Sequence, residues 1–166
     1  MAIQTLTKQM DNFQDFYKRQ KNRLFSYLMR MTGDYYLSMD IMQESFLRCL
    51  DKYRDKTLNI SLLYTISRNV FIDFTRREKR KTSLEQDTED QKADTEKEYG
   101  IKQEYRKVMA AMKRLEADER EILALALTED LKYQEIAKLL GINEGNVKIK
   151  VHRARLKLRE FLSEEK

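Results

Sequence analysis

Apolar side chains recur every three or four residues over most of this chain, and that spacing predicts helices. Phe13, Phe16, Tyr17, Leu24, Leu28 and Met31 put one apolar face on a helix over about 10–32, which Thr32-Gly33-Asp34 ends. A second helix carries Met39, Met42, Phe46, Cys49, Leu50 and Tyr53 on one side. Asp34 caps it, or Ser38 if it starts later. The polar stretch from Arg54 to Asn59 reads as a loop. A third helix over about 60–81 turns Leu63, Ile66, Val70 and Phe74 inward. It ends in Arg76, Arg77, Lys79, Arg80 and Lys81, with Glu78 as the one acid among them.

From Thr82 to Gly100 apolar residues nearly vanish and acids accumulate, so this stretch cannot pack a core. Beyond it the helical spacing resumes. Tyr105, Val108, Met112 and Leu115 mark one helix, Glu119 to Thr128 the next, and 132–140 a short third. Gly141 suits a left-handed C-cap, and Asn143 can cap a last helix that runs to about Phe161. Val147, Val151, Ala154 and Leu158 are its inward face. The pattern predicts an all-α protein. A three-helix N-terminal domain (8–81) and a C-terminal helix-turn-helix domain (102–166) are joined by an acidic linker (82–101).

Composition sharpens this picture in three ways. The chain has no proline and four glycines, as a helical chain requires. Its net charge of +5 favours an acidic partner. The single cysteine, Cys49, cannot form an internal disulfide, and the opening residues carry no secretory pattern, so a reducing cytoplasm is expected. The longest apolar run, Ile122 to Leu127, is too short to span a bilayer.

Enzyme chemistry finds little support. His152, the one histidine, lies among arginines, and Cys49 shares a face with Met42, Phe46 and Tyr53. Asp40 and Glu44 have no partner at metal-ligand spacing, and there is no glycine-rich phosphate loop. The expectation is a non-enzyme with no cofactor, no metal and no small-molecule substrate.

The last helix is the most informative segment. From Asn146 to Arg159 it holds Lys148, Lys150, Arg153, Arg155, Lys157 and Arg159 and no acid. Its outward face would carry Asn146, Lys148, Ile149, Lys150, His152, Arg153 and Arg155. Lysine and arginine neutralise phosphates, and asparagine, lysine and arginine read base edges. Glu144, at the tip, can accept from a cytosine amino group. Basic faces are often merely solvated. The loss of acids here and the glycine turn before the helix favour nucleic acid.

Three segments resemble the extracytoplasmic-function group of sigma factors. The first is SMDIMQESFLRCLDKY, Ser38 to Tyr53, similar to the family's second helix. The resemblance implies that Asp40, Gln43, Glu44 and Phe46 dock on the β′ clamp of core RNA polymerase. Asp40, Gln43 and Glu44 also share a helix face by spacing.

The second is LLYTISRNVFIDFTRREKR, Leu62 to Arg80, similar to the helix that holds the minus-10 promoter element. Arg68, Asn69, Asp73, Arg76 and Arg77 match it, and Asn69 falls where the family lines a pocket for a flipped-out base. Lys56, Thr57 and Asn59, in the loop before the helix, are the candidates to complete that pocket. Tyr64, Phe71 and Phe74 can stack on bases, although core packing suits Phe74 better. Leu62 stands where the family usually has tryptophan, and leucine stacks poorly.

The third segment runs from Arg114 to Glu160 and is similar to the minus-35 reading domain. Leu115, Arg120, Tyr133, Glu135, Gly141, Gly145, Lys148, Arg153 and Arg155 are among the matches. The tip departs from the family at Asn146, Ile149 and Lys150, so the promoter sequence does not carry over.

The resemblance implies a promoter-specificity subunit. Its partners would be core RNA polymerase, through the β′ clamp and β flap, and promoter DNA; it allows an anti-sigma factor as well. The runner-up is a stand-alone helix-turn-helix regulator whose N-terminal half dimerises or binds a ligand, and which would bind a two-fold symmetric duplex without polymerase.

Overall fold

The computed structural model describes residues 1–53, 58–84 and 103–164, and every regular element among them is helical. The N-terminal half comprises α1 (Ala2–Thr32), α2 (Tyr35–Tyr53) and α3 (Ile60–Leu84). The C-terminal half comprises α4 (Gln103–Arg114), α5 (Ala117–Ala126), α6 (Tyr133–Leu140) and α7 (Glu144–Glu164). This is the all-α architecture that the spacing predicts.

The helix ends follow local chemistry. Gly33 ends α1 with φ 64°, and its N–H donates to the Met29 carbonyl at 2.8 Å. Asp34, rather than Ser38, caps α2, because its Oδ1 accepts the Leu37 N–H at 2.9 Å. Ser38 is fully buried instead, 2.7 Å from the Thr32 hydroxyl. Gly141 takes φ 68° at the end of α6, with nothing within 4 Å of an added Cβ, so backbone conformation rather than space demands glycine there. Asn143 then caps α7 by accepting the Asn146 N–H at 2.7 Å.

Two boundaries differ from expectation. α1 begins at Ala2 instead of about residue 10. Its first turns are exposed, and Ile3, Leu6 and Met10 touch no core, so core-facing periodicity starts only at Phe13. The Thr5 and Thr7 hydroxyls donate back to the Met1 and Ile3 carbonyls there. α5 begins at Ala117, ahead of Glu119, because the Glu119 carboxylate reaches back to accept the Glu116 N–H at 3.3 Å.

Within the N-terminal half α2 packs on both α1 and α3, and within the C-terminal half α7 packs on α4, α5 and α6. The halves also meet. α1 packs on α4 and α5, α3 touches α6, and a single apolar core runs through both. Leu24, Leu28, Leu63, Leu123 and Ile136 are all fully buried in it. Each such side chain contributes about 1.5–3 kcal/mol by leaving water.

Candidate nucleic-acid interfaces

α7 presents the expected surface. Val147, Val151 and Ala154 are buried, which turns Asn146, Lys148, Ile149, Lys150, His152, Arg153 and Arg155 out to solvent. Lys148 pairs with Glu144 one turn back, at 3.3 Å. No described acid pairs with Lys150, Arg153 or Arg155. These cations are available to an anionic partner without first breaking a bridge.

α3 is arranged differently. Asn59 caps it, its Oδ1 accepting the Ser61 N–H at 2.8 Å, and Asn69, Arg76 and Arg77 are exposed. Arg68 is engaged: Glu121 of α5 accepts its Nε–H at 2.5 Å and its Nη2–H at 3.3 Å. That carboxylate holds the guanidinium above its ordinary pKa. The Ser61 hydroxyl donates to Glu135 of α6 at 2.8 Å. Arg23 of α1 pairs with Asp130, in the turn between α5 and α6. Three acids of the C-terminal half therefore face polar or basic groups of the N-terminal half. Tyr27 and Tyr64 are buried beside this seam with ring centroids 5.2 Å apart, and burial raises both hydroxyls well above the usual tyrosine pKa.

α2 carries a stripe on its outer side. Asp40 and Gln43 are exposed and Glu44 is half-buried. Glu44 accepts from Arg48 Nε–H at 2.7 Å, and Arg48 also lies 3.7 Å from Asp73 of α3, which ties the two helices together. Leu47 continues the stripe at helical spacing and is 62% exposed. An acidic stripe ending in an exposed leucine suits a basic helical partner with an apolar edge.

Two family models match the chain in these same places. Sigma-70 region 2 covers residues 16–81, and Sigma-70, region 4 covers residues 105–158. The RNA polymerase sigma factor YlaC of Bacillus subtilis is 28% identical over 174 residues, with 96% of each chain covered. The ECF RNA polymerase sigma factor SigM, also of Bacillus subtilis, is 29% identical over 150 residues, covering 87% of this chain and 91% of its own. The chain belongs to the extracytoplasmic-function group of the sigma-70 family. The sigma factor RpoE of Bartonella quintana, solved in complex with the anti-sigma factor NepR, has the same fold. Its TM-score is 0.72 at 22% identity, over 91% of this chain and 96% of that one.

In this sigma factor three of the expected site residues face elsewhere. Phe46 is 4% exposed, held by the rings of Phe13, Phe16 and Tyr17, so it supports the α2 stripe from beneath. Tyr64 is fully buried against Tyr27 and offers no ring to a base. Arg120 donates to the Met112, Lys113 and Leu115 carbonyls at 2.8 to 3.0 Å, which closes the end of α4. Lys56 and Thr57 lie outside the described residues. Leu47, Glu121 and Glu135 were missed as functional candidates. Leu47 was legible as the i+7 position from Asp40. Glu121 and Glu135 become partners of α3 only through the fold.

Proposed function

We propose that this sigma factor binds core RNA polymerase through the α2 stripe of Asp40, Gln43, Glu44 and Leu47. It then directs promoter recognition and strand opening. α7 reads the minus-35 element, with Lys148, Lys150, Arg153 and Arg155 on phosphates and base edges and with Glu144, Asn146 and Ile149 at the tip. α3 holds the separated minus-10 strand with Asn69, Arg76 and Arg77, and with Arg68 once Glu121 releases it. The pocket for a flipped base would be completed by Asn59, Lys56 and Thr57. Asp73 acts by holding Arg48, and through it Glu44, in place.

The observation that carries this reading is the α7 face, exposed and basic, on which Lys148, Lys150, Arg153 and Arg155 pair with no described acid outside their own helix. The chain is not itself an enzyme; affinity for separated strands offsets their unpairing, and polymerase performs the chemistry. It works in the cytoplasm, and no described helix is long and apolar enough to cross a membrane. An anti-sigma factor is a further partner, supported by the inhibitor bound to the Bartonella relative.

The test is transcription in vitro with core polymerase on genomic fragments of the source organism. Discrete new start sites should appear with the chain and vanish with Asp40→Arg/Glu44→Arg. An unchanged start-site profile refutes the reading.

A further inference from the structure

We propose that Ile149 reads the 5-methyl group of a thymine in the minus-35 element. The proposal rests on α7 being the duplex-reading helix and adds the chemistry of one base contact.

The argument begins with helix geometry. An α-helix turns about 100° per residue and rises about 1.5 Å. Val147, Val151 and Ala154 fix the buried line of α7. On the opposite side lie Gly145, Ile149 and Leu156, with the exposed His152 beside the line between the two aliphatic residues and the exposed Glu160 one turn beyond Leu156. Ile149 is 50% exposed and Leu156 is 48% exposed, seven residues and so about 10.5 Å apart along the axis. Lys148, Arg155 and Arg159 run down one flank of this line, and Asn146, Lys150, Arg153 and Lys157 down the other; all are exposed. Lys157 alone on these flanks is tied to another helix, through Glu119. The outer surface of α7 thus carries two aliphatic side chains, with His152 beside them, between two basic rails.

A single exposed isoleucine needs no explanation. Two large aliphatic side chains aligned on the outward line of a basic helix are different. Among the described residues of the C-terminal half, the only other exposed large apolar side chain is Tyr105. The rails fit the phosphates on either side of a major groove, which aims the two aliphatic side chains at its floor. There the thymine methyl is the group that rewards apolar contact. Ile149 is the sixth residue of α7, within the N-terminal turns that reach base edges, whereas Leu156 lies two turns farther on. Gly145, one turn before Ile149, adds no side chain and lets the helix tip approach closely. A β-branched side chain is nearly fixed at χ1 in a helix, so Ile149 loses little freedom on contact. Cytosine at the same position has no methyl, and its amino group would be left facing isoleucine without an acceptor.

The test uses the chain assembled with core polymerase to select duplexes from a random-sequence pool. Each thymine of the enriched minus-35 element is then replaced singly by deoxyuridine, which removes only the methyl group. One replacement should weaken binding about four-fold, the effect of one buried methyl. Ile149→Ser should lose that discrimination at that position and keep the responses elsewhere, while Ile149→Val should retain it. An enriched element without thymine, full indifference to deoxyuridine, or a penalty that persists in Ile149→Ser would overturn the proposal. A pool that yields no enriched element would instead overturn the reading of α7 as the duplex-binding helix, and the proposal with it.

Discussion

The two proposed nucleic-acid faces differ in what already occupies them. On α7 no described acid pairs with Lys150, Arg153 or Arg155, and Lys148 meets only its own helix's Glu144. On α3, Arg68 is held by Glu121, and Ser61 by Glu135, both from the other half of the chain. The same acids are absent from the central run of α7 and concentrated on α5 and α6. In the proposed reading, one face can therefore meet duplex DNA in this arrangement. The other, to bind nucleic acid as proposed, would exchange an internal carboxylate for it. A partly buried ion pair contributes little net stability, but parting it leaves the Glu121 carboxylate, 15% exposed, without its cation, so nucleic acid must offset that cost.

The largest expected effect tests whether the halves stand or fall together. Leu63, in α3, and Leu123, in α5, belong to the same core and are fully buried. Leu63→Ala should cost about 2–5 kcal/mol and lower the one melting transition seen by calorimetry. Two separate transitions, with only the first moved, would mean that the seam does not couple the halves.

A second effect sharpens the contrast on the α7 side. Lys150→Ala should weaken duplex binding and reduce the slope of log affinity against log salt by about one unit, while polymerase binding is kept. An unchanged salt slope would remove Lys150 from the phosphate contacts.

On the α3 side the expected sign is opposite. Glu121→Gln removes the charge that holds Arg68 and should tighten the full chain's binding to a single-stranded random oligonucleotide several-fold, about the worth of one surface-to-buried ion pair. Glu121→Gln/Arg68→Ala should lose that gain. Equal affinity for native chain and Glu121→Gln would show that the pair does not compete with nucleic acid.

The smallest effect is on pH. Glu135 is held below the usual carboxylate range, first by the Lys132 N–H and further by the Ser61 hydroxyl. A carboxylate depressed in the folded state stabilises above its unfolded pKa, here the ordinary 4.5, and that contribution is lost as pH falls through the folded value. Melting temperature should therefore fall less steeply below about pH 4.5 in Glu135→Gln than in the native chain. Parallel curves would contradict this.

The sequence made some features legible because they are local. Gly141 and Asn143 are read from a turn and a cap three residues long, and both behave as read. The inward line of Val147, Val151 and Ala154 follows from period alone. Matching a motif position by position is weaker evidence about direction. Phe46, Tyr64 and Arg120 all fit the family's pattern, yet each turns to the interior or to a helix end. The start of α1 was illegible because a helix that packs on nothing leaves no core-facing pattern over its first turns. The seam was illegible for another reason: Arg68 and Glu121 lie 53 positions apart, and only the packed fold brings them within 2.5 Å.

The central claim is that this chain is a polymerase subunit that docks through α2. The most direct measurement is a pull-down of bacterial core RNA polymerase by the purified chain, beside Asp40→Arg/Glu44→Arg. Asp40 is exposed and Glu44 half-buried, so the variant should fold, as its helical circular dichroism will show. The account predicts tight binding by the native chain and loss of binding in the folded variant. A native chain that fails to retain core polymerase would contradict it, and so would a folded variant that binds as well as the native chain.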